Sequence, residues 1–211
     1  MLYALVLLVA ASAPAYAQSS SDKPVQWHLQ GGVNSPTGSA SDLLNTGWAF
    51  GIGAIYRPPQ SPFGVRFDVN YWNNNVSAGG TYQAAGATRL DITGGRVDGW
   101  SAVLDGEFHH SFTDTVYGYG LAGIGAYYVN AELTETGVGY VCNPWWYYCY
   151  YGTGDVIVAS HSSTKFGWNV GLGVGFVLSG GSSLYLEARY TEIDTANESL
   201  KYIPIVIGVR F

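Results

Sequence analysis

Residues 63–71 read FGVRFDVNY, and this stretch decides the fold class of the chain. Its odd-numbered positions are Phe, Val, Phe, Val and Tyr, whereas its even-numbered positions are Gly, Arg, Asp and Asn. Successive side chains of a β-strand point to opposite faces, so the alternation predicts a strand with one apolar face and one charged face. Such a strand needs an apolar medium on one side and partners for its charges on the other.

Seven further segments alternate in the same way, and none fits a helical period better. Their lengths are close to the roughly 9 to 11 residues that a tilted strand needs to cross a membrane. We therefore predict an all-β fold, an eight-stranded antiparallel up-and-down transmembrane β-barrel. The predicted strands are 26–33, 49–57, 63–71, 100–108, 117–129, 168–176, 184–190 and 203–211.

The composition excludes several other classes of protein. Of the 211 residues, 47% are hydrophobic, 15% aromatic and only 11% charged, whereas a soluble domain is about one quarter charged. This balance excludes an intrinsically disordered chain. After residue 17 no apolar run approaches the roughly 20 residues of a membrane-spanning helix. The net charge of −6 provides no basic patch for nucleic acid.

The connections between the predicted strands favour a membrane barrel over a soluble sandwich. Longer and shorter connections alternate, as in bacterial outer-membrane barrels with long outer loops and short periplasmic turns. A sandwich has no reason to collect its long loops at one end, although some binding domains do so. The connections are 35–46, 58–62, 73–96, 109–115, 131–164, 179–183 and 192–199.

Aromatic residues near the strand ends predict two belts on the lipid-facing surface, at the two headgroup levels. A general preference of aromatic residues for strands explains their abundance but not two bands. In the fifth strand, Tyr119 and Leu121 are assigned to the same surface. The outer belt comprises Phe50, Tyr71, Trp100, Tyr127, Trp168 and Tyr190, and the inner belt comprises Tyr56, Phe63, Phe108, Tyr117, Phe176 and Phe211.

Residues 1–17, MLYALVLLVAASAPAYA, have the apolar stretch and the A-x-A ending of a secretory signal peptide. Cleavage before Gln18 would leave residues 18–211 as one barrel domain. No Lys or Arg precedes Lys23, so the positive n-region is missing. Either the start lies upstream or the signal is weak, and a membrane anchor of this length is the less favoured alternative.

The polar face of the predicted barrel carries eight charged residues, four of each sign. The interior of an eight-stranded barrel is only wide enough for side chains, so we expect these groups to meet one another. We predict a buried ion-pair network, which favours a plugged lumen over a gated pore. The predicted members are Arg66, Asp68, Asp105, Glu107, Glu187 and Arg189, with the two arginines bridging the four carboxylates. Arg57 and Arg210 are the other charges on this face.

The third outer loop contains Cys142 and Cys149 on either side of NPWWYY. An exported protein meets an oxidising compartment, so we expect a disulfide that stabilises the loop by roughly 2 to 3 kcal/mol. Seven aromatic residues lie within 140–151, a density typical of contact surfaces. Alternatively, the rings fold over the barrel mouth or rest among the lipid headgroups. The predicted contact residues are Trp145, Trp146, Tyr147 and Tyr148.

Motifs for catalysis or cofactor binding are weak. Residues 118–123, GYGLAG, match G-x-G-x-x-G, but they lie in a strand with no following helix. His161 with its neighbouring serines and Glu192 supplies the residue types of a nucleophile, a base and an orienting group. A Ser- and Thr-rich loop is the simpler explanation, and His109 and His110 have no partners at metal-ligand spacing. We therefore expect no catalytic residue, no cofactor and no metal.

Two parts of the chain resemble a known family. Residues 203–211, IPIVIGVRF, are similar to the C-terminal signature of bacterial outer-membrane barrels, with Phe211 last. Residues 31–38, GGVNSPTG, and 47–54, GWAFGIGA, resemble the opening hairpin of the small-barrel family that includes OmpA- and OmpX-like proteins. The resemblance covers nearly all of 25–211. It implies an outer-membrane location, an interior ion network and recognition of Phe211 by the barrel-assembly machinery.

This resemblance indicates a fold rather than a function, because the family spans adhesins, structural proteins and barrels of unknown role. We expect a structural or surface-interaction role, namely envelope integrity, adhesion or recognition through long outer loops. A narrow channel for small or apolar solutes is the alternative, and a lipid-modifying enzyme is third. The expected partners are outer-membrane lipid, the barrel-assembly machinery and a surface ligand, without nucleic acid, and the expected state is a monomer.

Overall fold

The computed structural model describes residues 24–88, 92–143, 148–178, 181–194 and 199–211. Eight antiparallel strands form a closed barrel in sequence order, and β8 completes the ring by pairing with β1. This arrangement confirms the predicted fold class, while the predicted signal peptide lies outside the described residues. The strands are β1 Val25–Thr37, β2 Gly47–Tyr56, β3 Phe63–Asn75, β4 Gly94–Ser111, β5 Val116–Asn143, β6 Tyr148–Val177, β7 Ser183–Asp194 and β8 Ser199–Arg210.

The two faces of the strands have different surroundings, as the alternation predicts. On β3, the side chains of Phe63, Val65 and Phe67 are 63%, 52% and 49% exposed on the outer surface. Arg66 and Asp68 occupy alternate positions of the same strand and are fully buried in the lumen. The apolar faces therefore form the outside of the barrel, and the polar faces form its interior.

Strand β5 is the exception, because the orientation predicted for it is wrong. Tyr117, Tyr119, Leu121 and Tyr127 face the lumen and are only 1% to 4% exposed. Ile124, at the alternate position, is 70% exposed on the outer surface. The tyrosines and the leucine therefore belong to the interior of the barrel, and neither belt contains Tyr117 or Tyr127.

The neighbouring strand explains this orientation. In the register of β5 with β6, Tyr117 is opposite Gly175 and Tyr119 is opposite Gly173. Each tyrosine ring occupies the space above the glycine it faces. The lumen is too narrow for two large side chains at one level, and pairing a tyrosine with a glycine avoids that clash. Gly173 and Gly175 thus accommodate rings and do not widen the lumen.

Ring contacts link the exposed aromatic residues of each belt. Tyr71 and Trp100 have ring centroids 4.9 Å apart in the outer belt. Tyr128 is 44% exposed and lies opposite Trp100, so it takes the place in this belt that was predicted for Tyr127. Near the other end of the strands, the rings of Phe63 and Phe108 lie 5.2 Å apart. The barrel therefore presents amphipathic rings near both ends of its apolar surface.

The outer connections differ most from the prediction. The expected loop 131–164 is instead a long hairpin, in which the pairing of β5 with β6 continues to Asn143 opposite Tyr148. Pairing satisfies the backbone groups that a loop would leave to water, and the Asn143-Pro144 step provides a turn signal at the end. The expected loop 73–96 is also shorter, because β3 reaches Asn75 and β4 begins at Gly94.

Two helices occupy the first two outer connections, α1 at Ala40–Leu43 and α2 at Ala78–Thr88. No helix in the described part of the chain is long and apolar enough to cross a membrane.

Replacing Gly173 by Ala should destabilise the barrel, because a Cβ atom there would lie 2.6 Å from Cε1 of Tyr119. We expect the free energy of unfolding to fall by about 1 to 3 kcal/mol, the usual cost of overpacking. Urea unfolding of the protein in lipid vesicles measures this loss. Gly120→Ala is the matched control, since the nearest atom to its Cβ would be Cδ2 of Leu172 at 3.4 Å. Equal losses in both variants would contradict the packing of Tyr119 over Gly173.

Candidate functional site

The candidate site is the charged cluster in the lumen. Its residues come in pairs two positions apart on one strand, so both members of each pair face inward. All six side chains are at most 6% exposed. The structure thus brings the six residues singled out from the sequence into one buried cluster, with Arg66 and Asp68 on β3, Asp105 and Glu107 on β4, and Glu187 and Arg189 on β7.

Arg66 lies at the centre of this cluster. Its Nε donates to Asp68 Oδ1 at 3.0 Å, and its Nη1 donates to Glu187 Oε2 at 2.6 Å. The remaining nitrogen, Nη2, donates to Oε1 of Gln30 at 3.0 Å. The guanidinium fork therefore has an acceptor for each of its three nitrogens, which is the geometry in which a buried arginine is best satisfied.

Arg189 connects the same carboxylates from the other side. Its Nε donates to Glu187 Oε1 at 2.6 Å, and its Nη1 donates to Asp105 Oδ2 at 3.0 Å. Its Nη2 donates to Oδ2 of Asp68. Asp68 and Glu187 are therefore shared by two arginines, so the loss of either arginine would leave two buried carboxylates with one cation between them.

Glu107 has different partners from those expected. Its Oε2 lies 3.8 Å from Nη1 of Arg66, a long contact. Arg210 instead donates to both carboxylate oxygens at 3.1 Å, and Arg57 donates to Oε1 at 2.6 Å. The sequence pattern places Arg57 and Arg210 on the inward face, but it does not show which carboxylate their long side chains reach.

Three further polar side chains complete the cluster, and they were not among the residues predicted to form it. Nε2 of His28 lies 2.7 Å from Asp68 Oδ1, and Nδ2 of Asn169 donates to Asp105 Oδ1 at 2.9 Å. The hydroxyl of Tyr119 donates to Glu187 Oε2 at 2.7 Å. Alternation already places His28 and Asn169 on the inward face, and that signal was available. Tyr119 was not predicted to join the cluster, because the orientation predicted for β5 placed its side chain on the outer surface.

A small cavity of about 40 Å³, lined by both polar and apolar residues, lies next to the cluster, toward the outer end of the lumen. Oδ1 of Asn34, Oδ1 of Asn169 and Nε1 of Trp72 have no hydrogen-bond partner among the described residues, and all three residues line this cavity. A volume of this size has room for water, which would bond such atoms.

An apolar layer follows beyond the cavity. Val103, Tyr127, Ile193 and Tyr202 pack together and are each at most 6% exposed. Trp72 extends this layer, with its ring centroid 5.7 Å from that of Tyr202. Ionic cluster, small cavity and apolar layer thus follow one another along the lumen. This arrangement can hold the strands together and block passage, but it offers no continuous polar surface for a solute.

The residues considered for an enzymatic role are not brought together. His161 lies on β6, opposite Ala131 of β5. Glu192 lies on β7, opposite Trp168 of β6. At about 3.3 Å per residue, positions 161 and 168 are more than roughly 20 Å apart along β6. Glu192 instead lies 3.4 Å from Nζ of Lys201. Within the described residues, no group of three or more His, Cys, Asp or Glu is placed to hold a metal ion.

The tip of the hairpin is the second candidate feature. Cys142 and Cys149 are directly opposite each other in the register of β5 with β6. Directly opposed Cα atoms of antiparallel strands lie about 4.5 to 5.5 Å apart, which is within the range that a disulfide spans. The side chains of 137–143 and 148–155 and the whole of 144–147 lie outside the described residues. The predicted disulfide and the contact side chains of Trp145, Trp146, Tyr147 and Tyr148 fall in this part.

Phe211 closes the seam of the barrel. Its backbone exchanges two hydrogen bonds of 2.8 Å with Trp27 of β1. Its side chain is 53% exposed on the outer surface. The expected recognition of this residue by an assembly machinery stays a prediction.

Replacing Arg66 by Met should destabilise the barrel strongly, because Asp68 and Glu187 would then share Arg189 alone. Removing one partner of a buried ion pair costs about 3 to 5 kcal/mol, read as the free energy of unfolding in urea. Lys201→Met is the control, because Lys201 is 38% exposed in its pair with Glu192 and exposed pairs contribute about 0 to 1 kcal/mol. Similar small losses in both variants would show that the cluster does not stabilise the barrel.

Comparison with known proteins agrees with this architecture. A family model described as outer membrane protein beta-barrel domain matches residues 3–211, while no curated protein sequence matches the chain. Neisserial surface protein A is 16% identical with a TM-score of 0.56, covering 89% of this chain and 96% of its own. A major outer membrane protein from Thermus thermophilus is 13% identical with a TM-score of 0.51, covering 90% of this chain and 99% of its own.

Ail, the attachment invasion locus protein of Yersinia pestis, is 15% identical with a TM-score of 0.47, covering 90% of this chain and 100% of its own. At such identities the likeness to solved structures shows the fold alone. The match to the family model spans nearly the whole chain, both the barrel and its charged lumen. The chain therefore belongs to the outer membrane protein beta-barrel domain family, and its location is the bacterial outer membrane.

Proposed function

We propose that this protein is a closed outer-membrane barrel that presents the β5–β6 hairpin as a contact surface outside the cell. The observation that carries the proposal is the length of the hairpin. Beyond the outer aromatic belt, pairing continues from Val129 opposite Ser163 to Asn143 opposite Tyr148. That is about 15 residues of each strand, or roughly 50 Å at the usual rise, although about 9 to 11 residues suffice to cross the membrane.

The surface of the hairpin supports a role in contact. Among the described residues, β5 beyond Thr134 pairs with β6 alone, so both outer edges of the ribbon present backbone donors and acceptors. Val156 and Ile157 are 56% and 52% exposed. In the sequence, seven aromatic residues fall within 140–151, around the last described pair of the ribbon, Asn143 opposite Tyr148. Exposed apolar and aromatic groups on a projecting element are typical of binding surfaces.

A disulfide between Cys142 and Cys149 belongs to this proposal, because their backbones are direct partners in the register. Such a cross-strand bond would hold the end of the ribbon together and fix the aromatic residues between the cysteines. Alkylation of the exported protein with and without a reductant reports it. Two thiols that react without reductant would exclude the bond.

The closed lumen supports surface contact over a channel. Gly173 and Gly175, two inward glycines of β6, lie beneath the rings of Tyr119 and Tyr117, so they leave no passage there. Arg66 and Arg189 span the lumen to carboxylates on other strands. The barrel thus serves as a stable base in the membrane, and the β5–β6 hairpin projects from it.

The hairpin is tested by attachment of bacteria that display the protein to epithelial monolayers and to polystyrene. In one variant Asn-Gly replaces residues 137–154 and joins Thr136 to Asp155, which are opposite each other, by a turn suited to tight hairpins. A second variant keeps the length and replaces Trp145, Trp146, Tyr147 and Tyr148 by Ser. We expect the intact protein to raise attachment above that of cells without it, and both variants to lose most of that gain.

Surface display and the gel mobility of the unheated protein serve as controls, because both variants should retain the barrel. Full attachment by the shortened variant would contradict the proposal. Loss in the shortened variant alone would assign contact to the ribbon and not to the aromatic tip.

A further inference from the structure

The outer mouth of the barrel contains an apolar chamber of about 360 Å³ that the hairpin does not form. Helices α1 and α2 lie on one side of it, and the outer ends of β4 and β8 lie on the other. Its larger lining residues are Leu43, Leu44, Val76, Val97 and Leu200, and Gln83 is the one described lining residue with a polar side chain. Among the residues that the structure describes, none of those lining the chamber is charged.

The two helices are attached to each other and to the strand ends. The backbone N–H of Ser77 donates to Leu43 O at 2.8 Å, and that of Val76 donates to Gly95 O at 2.9 Å. Gly80 permits the close approach of α2, because a Cβ atom there would lie 2.7 Å from Cγ1 of Val76. These backbone hydrogen bonds hold the segments that carry the lining side chains next to one another.

The chamber opens to the outer solution and not to the bilayer. Leu200 packs against the apolar layer that contains Val103 and Tyr202, so it lies on the inward side of β8. Val97 is an even number of residues from Val103 on β4 and shares its inward face. The barrel wall thus separates the chamber from lipid, and the apolar layer closes its inner end.

Size and chemistry together indicate the occupant. Protein interiors leave few voids larger than a water molecule, whereas ligand pockets measure roughly 300 to 1,000 Å³ and combine apolar walls with a few polar groups. A charged ligand would lose its hydration without a partner in this lining. Because a cavity of about 150 Å³ holds benzene, the chamber has room for about ten or more carbon atoms.

We propose that this chamber binds an uncharged medium-chain aliphatic molecule taken up from outside, with the Gln83 amide bonding its polar end. The apolar layer and the ionic cluster below it block onward passage, so the proposal is binding at the mouth and not transport. It is independent of the contact role of the hairpin.

Photolabelling with a diazirine-bearing 1-decanol, on the folded protein in phospholipid nanodiscs, tests the proposal. We expect labelled residues in 40–44 and 76–84, identified by mass spectrometry. Ala84→Phe would fill the chamber, since Ala84 lines it, and should reduce this labelling at least fivefold. Ala85→Phe is the matched control on the same helix, outside the lining, and should leave labelling unchanged.

Two competitors define the ligand class. Unlabelled 1-decanol should displace the probe at concentrations at least tenfold lower than decanoate, because the described lining residues offer the carboxylate no cation. A phospholipid with a diazirine in its acyl chain should label the outer strand faces but not 40–44 or 76–84. Equal labelling of the chamber by that phospholipid would overturn the proposal in favour of bilayer lipid. Probe labelling that is the same in Ala84→Phe and Ala85→Phe would overturn it altogether.

Discussion

Eight strands enclose a lumen that admits side chains and little else, and this limit governs the rest of the structure. A large inward residue repeatedly faces a glycine on the next strand: Asp68 faces Gly53 and Arg189 faces Gly171. Charges in so narrow a space have few groups to solvate them except one another. The bond between Arg66 and Glu187 therefore joins positions 121 residues apart in the chain, and pairing inside the barrel holds distant strands together.

Alternation along single strands was enough to predict the barrel, its apolar exterior and the six charged residues that meet in the lumen, because each follows from a period of two. It failed for β5, where tyrosines alternate with glycine and alanine. Tyrosine suits either face, and the choice depends on Gly173 and Gly175, which become neighbours only when β6 pairs with β5. The partners of Glu107 escaped prediction for a similar reason, since they depend on how far Arg57 and Arg210 reach.

The outer connections were the least predictable part of the fold. Residues 131–143 and 148–164 contain glycines, serines and threonines that are typical of loops, yet they pair as strands across the ribbon, with one register shift between Leu133 and Thr134. Helices α1 and α2 are short segments whose positions depend on contacts with strand ends. Local composition does not report such partners, which are distant in sequence. These outer connections also carry apolar groups that are exposed beyond the barrel wall, such as Val156 and Ile157. The barrel supplies stability, whereas the surfaces available for contact lie above it.

The division of roles between a stabilising barrel and contact surfaces above it requires that the ionic cluster and the apolar layer close the lumen. Electrical recording of the purified, refolded barrel in a planar lipid bilayer tests it most directly. Because Arg66, Arg189 and their carboxylates fill one level and Tyr127 and Tyr202 fill another, we expect insertion without steady conductance steps. A large, stable conductance from the folded protein would contradict a closed lumen and would identify the barrel as a channel.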